Sequence, residues 1–488
     1  MKKNSVYYLL FNPFAIGVFL FAVLVFISFY PYILYDEVLW SYIGRIWNEN
    51  NLVPYVNSVE NKPPGIFILY KLNQLFFDGN IFFIRLFGAI CSVLSSFLLY
   101  KIGKLLNGHL CGMLCMSIFG LMMSWFLMNG WSLAHTETFM VFFSILAFYL
   151  FVKHKMAKHF KYILFGIGTL LGCSLFFKQI AITTIVAFFL FVLIDKKSSL
   201  KSKLRDILRI GFGVIFINLS GFLVLYMSGV SLLQYLEGSW LILLNSGSSG
   251  TGFSDYMEGF FKTFFCSRFL MLYPLLILVY LKRELFKKEL YVLVLLWFLL
   301  DFSGAILSGN FYGHQLKQML PSLSILFGIV LSNYKLFGKT NFLKQLSDVK
   351  ILILVIVYFF PYLQMAKVGK SLWYTKNLDH KVAAKWIKNN SSKQDYIYLF
   401  GADYKLISTL LYSERVSSSK YFSSMFVSRE EQRQQIFSEI MAKPPKYILD
   451  YKEDINIRAI YGNSMYQYFL ENYRLRNNFG NILLYERN

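Results

Sequence analysis

Apolar residues run through this chain in blocks of the length a bilayer demands. A spanning helix needs about 20 mostly apolar residues. Eleven stretches meet or approach that standard, at roughly 14–34, 80–100, 110–128, 137–152, 162–177, 179–195, 208–228, 263–281, 290–307, 316–333 and 350–366. The first follows Lys2 and Lys3 without a clear small-residue cleavage site, so it reads as a retained helix. Gly65–Phe77 is apolar but too short to span, and reads as a helix lying along the membrane surface. Past residue 366 the pattern changes. Lys381–Lys388, Arg429–Met441 and Tyr466–Tyr473 carry helical spacing, while Asp395–Phe400 and Tyr447–Asp450 read as strands, with Pro444-Pro445 turning the chain before the second. The expectation is an all-α polytopic membrane domain of about 11 transmembrane helices over residues 1–366, and a small C-terminal α/β domain over 367–488.

Charge orients this map. Positive residues collect on the cytoplasmic side of membrane proteins. With the N-terminus inside, the inner segments hold Lys101 and Lys104, then Lys153, Lys155, Lys158 and Lys161, and later Lys196, Lys197, Lys201, Lys203, Arg205 and Arg209. Lys282, Arg283, Lys287 and Lys288, then Lys335, Lys339, Lys344 and Lys350, continue the series. The outer segments hold mainly Arg45, Lys62, Lys178 and Lys262. The net charge of +22 is therefore a topology signal, and nucleic-acid binding is set aside. An odd number of spans places the 367–488 domain outside. Composition agrees, with 56% hydrophobic and only 16% charged residues, against about 25% charged in soluble chains. The five cysteines lie in or beside apolar stretches and read as buried thiols.

Two outer loops are long. Residues 229–261 contain the Gly/Ser run Asn245–Gly252, which reads as a linker in preference to a lid. The first outer loop, 35–79, carries chemistry. Asp36-Glu37 opens it, and adjacent carboxylates there can take a proton from an attacking hydroxyl or hold a metal, although a solvated helix terminus fits the spacing equally well. Lys62, stiffened by Pro63-Pro64, suits a phosphate as a point charge. Further along, His135 and Glu137 sit where the third span turns into the fourth; they read as a second acid, as a helix-start carboxylate, or as a weak metal pair lacking further ligands. Lys178-Gln179 breaks an apolar run, and an outward lysine there calls for an anionic partner. Arg268 has the same character. His314, Gln315, Lys317 and Gln318 open the tenth span, and helical spacing places His314 on one face with Lys317 and Gln318. Asp301, inside the ninth span, needs a partner. Carboxylates and cations on one side of a bilayer suit attack on a sugar carbon that leaves a lipid phosphate behind. No Gly-rich phosphate loop, Walker lysine or dinucleotide fingerprint is present.

These residues carry a resemblance. A first helix leading to Asp36-Glu37, then Gly44-Arg45, Pro54-Tyr55, Lys62-Pro63-Pro64, Phe77-Asp78-Gly79-Asn80 and Arg85, resembles the membrane-embedded glycosyltransferases of the GT-C class. The similar branch holds the protein O-mannosyltransferases and the lipid A aminoarabinose transferases, glycosyltransferase family 39-like proteins. Lys178-Gln179 and His314–Pro321 also look like bacterial members. The resemblance implies a polyprenyl-phosphate sugar donor, a lipid, glycan or protein acceptor, and inversion at the anomeric carbon. It implies that Asp36 is the essential acid, with Glu37 beside it and Glu137 at the second acidic position. Lys62 would lie near the donor phosphate, with Lys178, Arg268, His314, Gln315 and Lys317 as further donor-binding residues. It leaves a divalent metal open. The implied setting is a bacterial cytoplasmic membrane, with membrane lipids as surroundings and the C-terminal domain outside. A transporter or flippase of lipid-linked sugars is the alternative from another class, and a polysaccharide polymerase or ligase is a third reading.

Overall fold

The computed structural model describes residues 12–124, 133–157, 162–196, 198–242, 253–266, 273–281, 283–307, 309, 311–333, 365–366, 368–370, 378–452 and 457–488. They are mostly helical, with one small sheet near the C-terminus. The chain divides into two compact units. One comprises Met1–Tyr30, Arg85–Gly221 and Asn245–Lys370; the other comprises Pro31–Ile84, Phe222–Leu244 and Ser371–Asn488. The second unit thus joins the C-terminal segment with two loops from much earlier in the chain.

In the first unit the apolar pattern becomes helices with breaks. Among the described residues, five helices are long and apolar enough to cross a membrane, and three shorter ones are apolar. The chain is a multi-pass membrane protein. Helix α1, Pro13–Ser28, is capped by Asn12, whose side chain accepts from Phe14 N–H at 2.8 Å. It stops well before residue 34, the expected end of the first span, because Pro31 cannot continue the backbone ladder. The second and third expected spans form one long element, α4, Ile81–Ser124, broken at Asn107 and Gly108. Gly108 has φ +86°, a conformation that favours glycine, and beyond it the halves fold back until Gly103 and Gly112 nearly touch.

Helices α5 (Thr136–Ala157), α6 (Ile163–Phe177), α7 (Ile182–Ile194) and α8 (Leu200–Met227) follow. Between α6 and α7, Lys178 is extended and Gln179–Ala181 form a 3-10 turn. Gly168 and Gly172 of α6 let α8 come so close that a Cβ on Gly168 would stand 2.0 Å from the Ile210 carbonyl oxygen. Helix α10, Phe253–Cys266, starts inside the expected 229–261 loop and ends in the eighth expected span, whose last part forms α11, Tyr273–Leu281 (the short α9, Leu232–Leu236, belongs to the second unit). Helix α12 is Glu289–Leu307. The tenth span begins not as an α-helix but as a 3-10 segment, Gly313–Met319, before α13, Leu320–Ser332. The core holds Phe148 stacked on Trp297 at 4.7 Å, with Phe188, Phe191 and Leu326. The expected eleventh span lies outside the described residues except for its last two, and so do Asn245–Gly252.

In the second unit, α2 (Tyr35–Asn50) packs on α3 (Pro64–Phe77), the short apolar helix expected after the Lys-Pro-Pro run. Gly44 allows the contact: a Cβ there would stand 2.7 Å from the Tyr70 carbonyl carbon. The C-terminal segment forms a five-stranded sheet ordered β2-β1-β3-β5-β4. Its strands are β1 Tyr396–Phe400, β2 Val416–Ser417, β3 Tyr447–Tyr451, β4 Tyr473–Phe479 and β5 Ile482–Arg487. β1 runs parallel to β2 and β3, whereas β5 is antiparallel to β3 and β4. The expected helices appear as α14 (Asp379–Asn390), α16 (Glu430–Ala442) and α18 (Asn463–Asn472); α15 (Tyr404–Tyr412) and the short α17 (Ile457–Tyr461) were not anticipated. Tyr398, Phe400, Ile436, Ile448 and Phe469 form the core beneath one face of the sheet.

Candidate active site

Two 3-10 segments, 179–181 and 313–319, and the start of α5 bring distant polar residues of the first unit together. Glu137 lies in the first turn of α5, where the helix dipole favours a carboxylate. It is buried, and Lys178 from the α6–α7 break forms an ion pair with its Oε1. Lys178 thus has the anionic partner that its place in an apolar run called for. Thr136 Oγ1 donates to Glu137 Oε2 at 3.0 Å. From the 3-10 segment, His314 Nε2 stands 3.9 Å from Glu137 Oε1, and its ring lies 4.8 Å from that of buried His135. Lys317 is fully buried, with its Nζ 3.3 Å from Thr138 Oγ1. In a 3-10 turn, residues three apart eclipse, so His314 and Lys317 face α5 together. Gln318 does not share that face. Its Nε2 donates instead to Asp301 Oδ1 at 3.2 Å. Gln315 is half-buried in the same turn.

Among the described residues the cluster therefore sets two buried or half-buried ammonium groups, with two imidazoles, against one carboxylate. Such a surplus of positive charge away from bulk water favours an anion, and a phosphate most of all. A metal is less well served. Among the described residues no three His, Cys, Asp or Glu side chains gather as a ligand set, and Glu137 already engages Lys178 and Thr136.

The second unit holds the other acids. Asp36 and Glu37 do not trail the first helix; they lie in the first turn of α2. Glu37 is buried, and its Oε2 accepts from Leu34 N–H at 3.1 Å, so it caps its own helix. Asp36 is half-buried. The neighbouring Tyr35 shares a 2.6 Å hydrogen bond with Ser423, and burial pushes its phenol above the ordinary range. Lys62 pairs with buried Glu60 at 3.1 Å and also donates to Asn61. The Tyr55 hydroxyl donates to the Lys62 carbonyl at 2.6 Å, so the loop before Pro63-Pro64 is tied down at both ends of Lys62.

Residues 415–423 of the C-terminal segment thread against this helix and loop. Arg45 Nη2 donates to the Arg415 carbonyl at 2.6 Å, Ser417 N–H donates to Tyr42 Oη at 2.8 Å, and Val59 N–H donates to the Lys420 carbonyl at 3.1 Å. Nothing in the sequence pointed to these contacts. Arg268 lies outside the described residues.

With this geometry in place, known proteins can be set beside it. Residues 61–224 match the family model described as dolichyl-phosphate-mannose-protein mannosyltransferase. No curated protein matches. ArnT from Cupriavidus metallidurans, in a crystal structure with undecaprenyl phosphate, superposes with a TM-score of 0.66 at 12% identity over 99% of this chain and 98% of its own. The fold is that of the GT-C glycosyltransferases. The Archaeoglobus fulgidus oligosaccharyltransferase in complex with zinc and sulfate gives 0.55 at 12% identity, covering 89% of this chain and 68% of its own. AglB from the same organism, with an inhibitory peptide and a dolichol-phosphate, gives 0.52 at 10% identity, covering 97% and 74%.

Proposed function

We propose that the chain is a membrane glycosyltransferase that moves a sugar from a polyprenyl-phosphate donor to a lipid, glycan or protein acceptor of the cell envelope. The supporting observation is the buried cluster in which Lys178 and Lys317 outnumber Glu137. Its charge suits a lipid phosphate, and ArnT, which has the same fold, was crystallised with such a molecule. In the proposed reaction the acceptor oxygen attacks the anomeric carbon and loses its proton to Asp36. The bond from that carbon to the phosphate oxygen breaks, its electrons stay on the oxygen, and the configuration inverts. Lys62, Lys178 and Lys317, with Arg268, neutralise the departing phosphate. His314 and Gln315 flank the donor, and Glu37 holds the first turn of α2, placing Asp36. Residues 1–366 make up the transferase domain in a bacterial cytoplasmic membrane, and 367–488 an extracytoplasmic domain.

The test supplies purified full-length protein with radiolabelled polyprenyl-phosphate sugars and a membrane extract. Label moves to an acceptor with the unaltered protein and not with Asp36→Asn. Transfer at the normal rate by Asp36→Asn removes that residue from the mechanism. Intact labelled lipid crossing the bilayer identifies a transporter instead.

A further inference from the structure

Asp301 lies inside α12, a helix long and apolar enough to span the bilayer, and it is almost fully buried. A carboxylate at such a position is costly and is kept where it acts. Its partners among the described residues are hydroxyls and an amide, not a cation. Thr184 Oγ1 stands 2.8 and 3.1 Å from its two oxygens, Thr183 Oγ1 stands 2.8 Å from Oδ1, and Gln318 Nε2 donates to the same oxygen at 3.2 Å. Gln318 Nε2 also donates to Thr183 Oγ1 at 2.6 Å and to the Ile180 carbonyl at 3.1 Å.

The sequence positions of these partners matter more than their number. Ile180, Thr183 and Thr184 belong to the turn and helix start directly after Lys178. Gln318 adjoins Lys317 in the 3-10 segment. Among the described residues, the Asp301 carboxylate bonds to side chains from both breaks. Glycine at 304, one turn further along α12, permits the approach: a Cβ there would stand 2.9 Å from Thr183 Cγ2 and 3.1 Å from Ile180 Cγ1. A 3-10 turn carries only a short ladder of poorly aligned bonds, so an acceptor that binds donors at two such turns fixes them against each other.

We propose that Asp301 is a positioning residue that clamps the Lys178 break to the His314–Lys317 turn and so sets the spacing of the two lysines for a lipid phosphate. The inference rests on the phosphate role given to those lysines above. Asp301 does not touch the reacting atoms. It acts through Gln318 and Thr183.

The experiment measures undecaprenyl phosphate binding to full-length protein in lipid nanodiscs, with thermal midpoints recorded alongside. Asp301→Asn keeps the size of the side chain but replaces one acceptor oxygen by an amide NH2, which faces donors that need an acceptor. The expected result is binding weaker by about tenfold, the scale on which loss of a ligand-orienting partner acts. Lys317→Met weakens binding as well, and the double variant is no worse than Lys317→Met alone, because the two act as a unit. Thr183→Ser, which keeps the hydroxyl, binds as the unaltered protein does, whereas the isosteric Thr183→Val loses severalfold; this pair carries the test even where Asp301→Asn folds poorly. Equal binding by Asp301→Asn and Thr183→Val, or losses that add in the double variant, overturns the clamp while leaving the phosphate site intact. A merely structural Asp301 lowers the midpoint without changing the affinity of the folded protein, and that outcome also overturns it. Failure of the unaltered protein to bind undecaprenyl phosphate overturns the proposed function, and the clamp with it.

Discussion

Replacing Lys178 with methionine removes the ammonium that pairs with Glu137 and leaves the carboxylate in place. The side chains are 15% and 2% exposed, so the pair is mostly out of water. Removing one partner of a buried pair costs about 3–5 kcal/mol, chiefly because the remaining charge is uncompensated. Thr136 Oγ1 still donates at 3.0 Å, and His314 Nε2 stays 3.9 Å away. Lys178 is also not wholly buried. These three features place the expected loss at the lower end, about 3 kcal/mol. The Glu137→Gln/Lys178→Met double variant removes the charge that the single variant leaves behind, and recovers most of that loss. The assay is thermal unfolding of the full-length protein in nanodiscs, with the unaltered protein, both single variants and the double variant run as a cycle. Lys178→Met melts several degrees lower, and the double variant melts above it. A Lys178→Met protein that melts with the unaltered one, or a double variant that melts lower still, refutes the reasoning: the ion pair would then be no tighter than a solvated surface contact, worth under about 1 kcal/mol.

Three further outcomes are expected. Glu37→Gln loses part of the acceptor for Leu34 N–H, destabilising the start of α2 by about 1 kcal/mol, and lowers the transfer rate only indirectly; a loss of transfer as large as that of Asp36→Asn, with an unchanged midpoint, gives Glu37 a chemical role instead. Gly44→Ala forces a Cβ to within 2.7 Å of the Tyr70 carbonyl carbon. The α2–α3 crossing must open, at about 1–3 kcal/mol, seen as a lower midpoint with faster hydrogen exchange over residues 35–77; unchanged exchange there contradicts the close packing. His380 is buried, and desolvation, helped by Lys381 and Lys405, pulls its pKa from 6.5 down to about 4. Between those values the unfolded chain binds a proton that the folded one refuses, so stability falls as pH drops from 7 towards 4. Denaturant titrations at pH 7 and pH 5 show the fall, and His380→Gln flattens it; an equal slope in both proteins contradicts the assignment.

What the sequence disclosed, and what it hid, follows from the range over which each signal acts. Apolar block length is a local property, and it located the bodies of the described apolar helices, as helical and strand spacing located three helices and two strands of the C-terminal segment. The breaks were partly legible as well. Lys178 in an apolar run announced both a turn and a need for an anion, and Glu137 supplies it. The early stop of α1 was written in Pro31 but was masked by the apolar residues around it. The split of the 314–318 segment was not legible, because α-helical spacing puts His314 and Gln318 on one face whereas the 3-10 turn sends Gln318 to Asp301. Thr183 and Thr184 looked like ordinary residues of an apolar helix until the fold placed Asp301 opposite them. Least legible were the contacts of Arg45 with Arg415 and of Tyr42 with Ser417, which join positions more than 350 residues apart through backbone groups that every residue possesses.

The central claim is that this chain breaks a sugar–phosphate bond on a polyprenyl monophosphate. Mass spectrometry of the lipid fraction tests it most directly, with purified protein in nanodiscs, a polyprenyl-phosphate sugar and an acceptor extract. The account predicts free polyprenyl phosphate accumulating in step with glycosylated acceptor, and neither appearing with Asp36→Asn. Donor lipid that stays intact while the unaltered protein is folded and binds it contradicts the account.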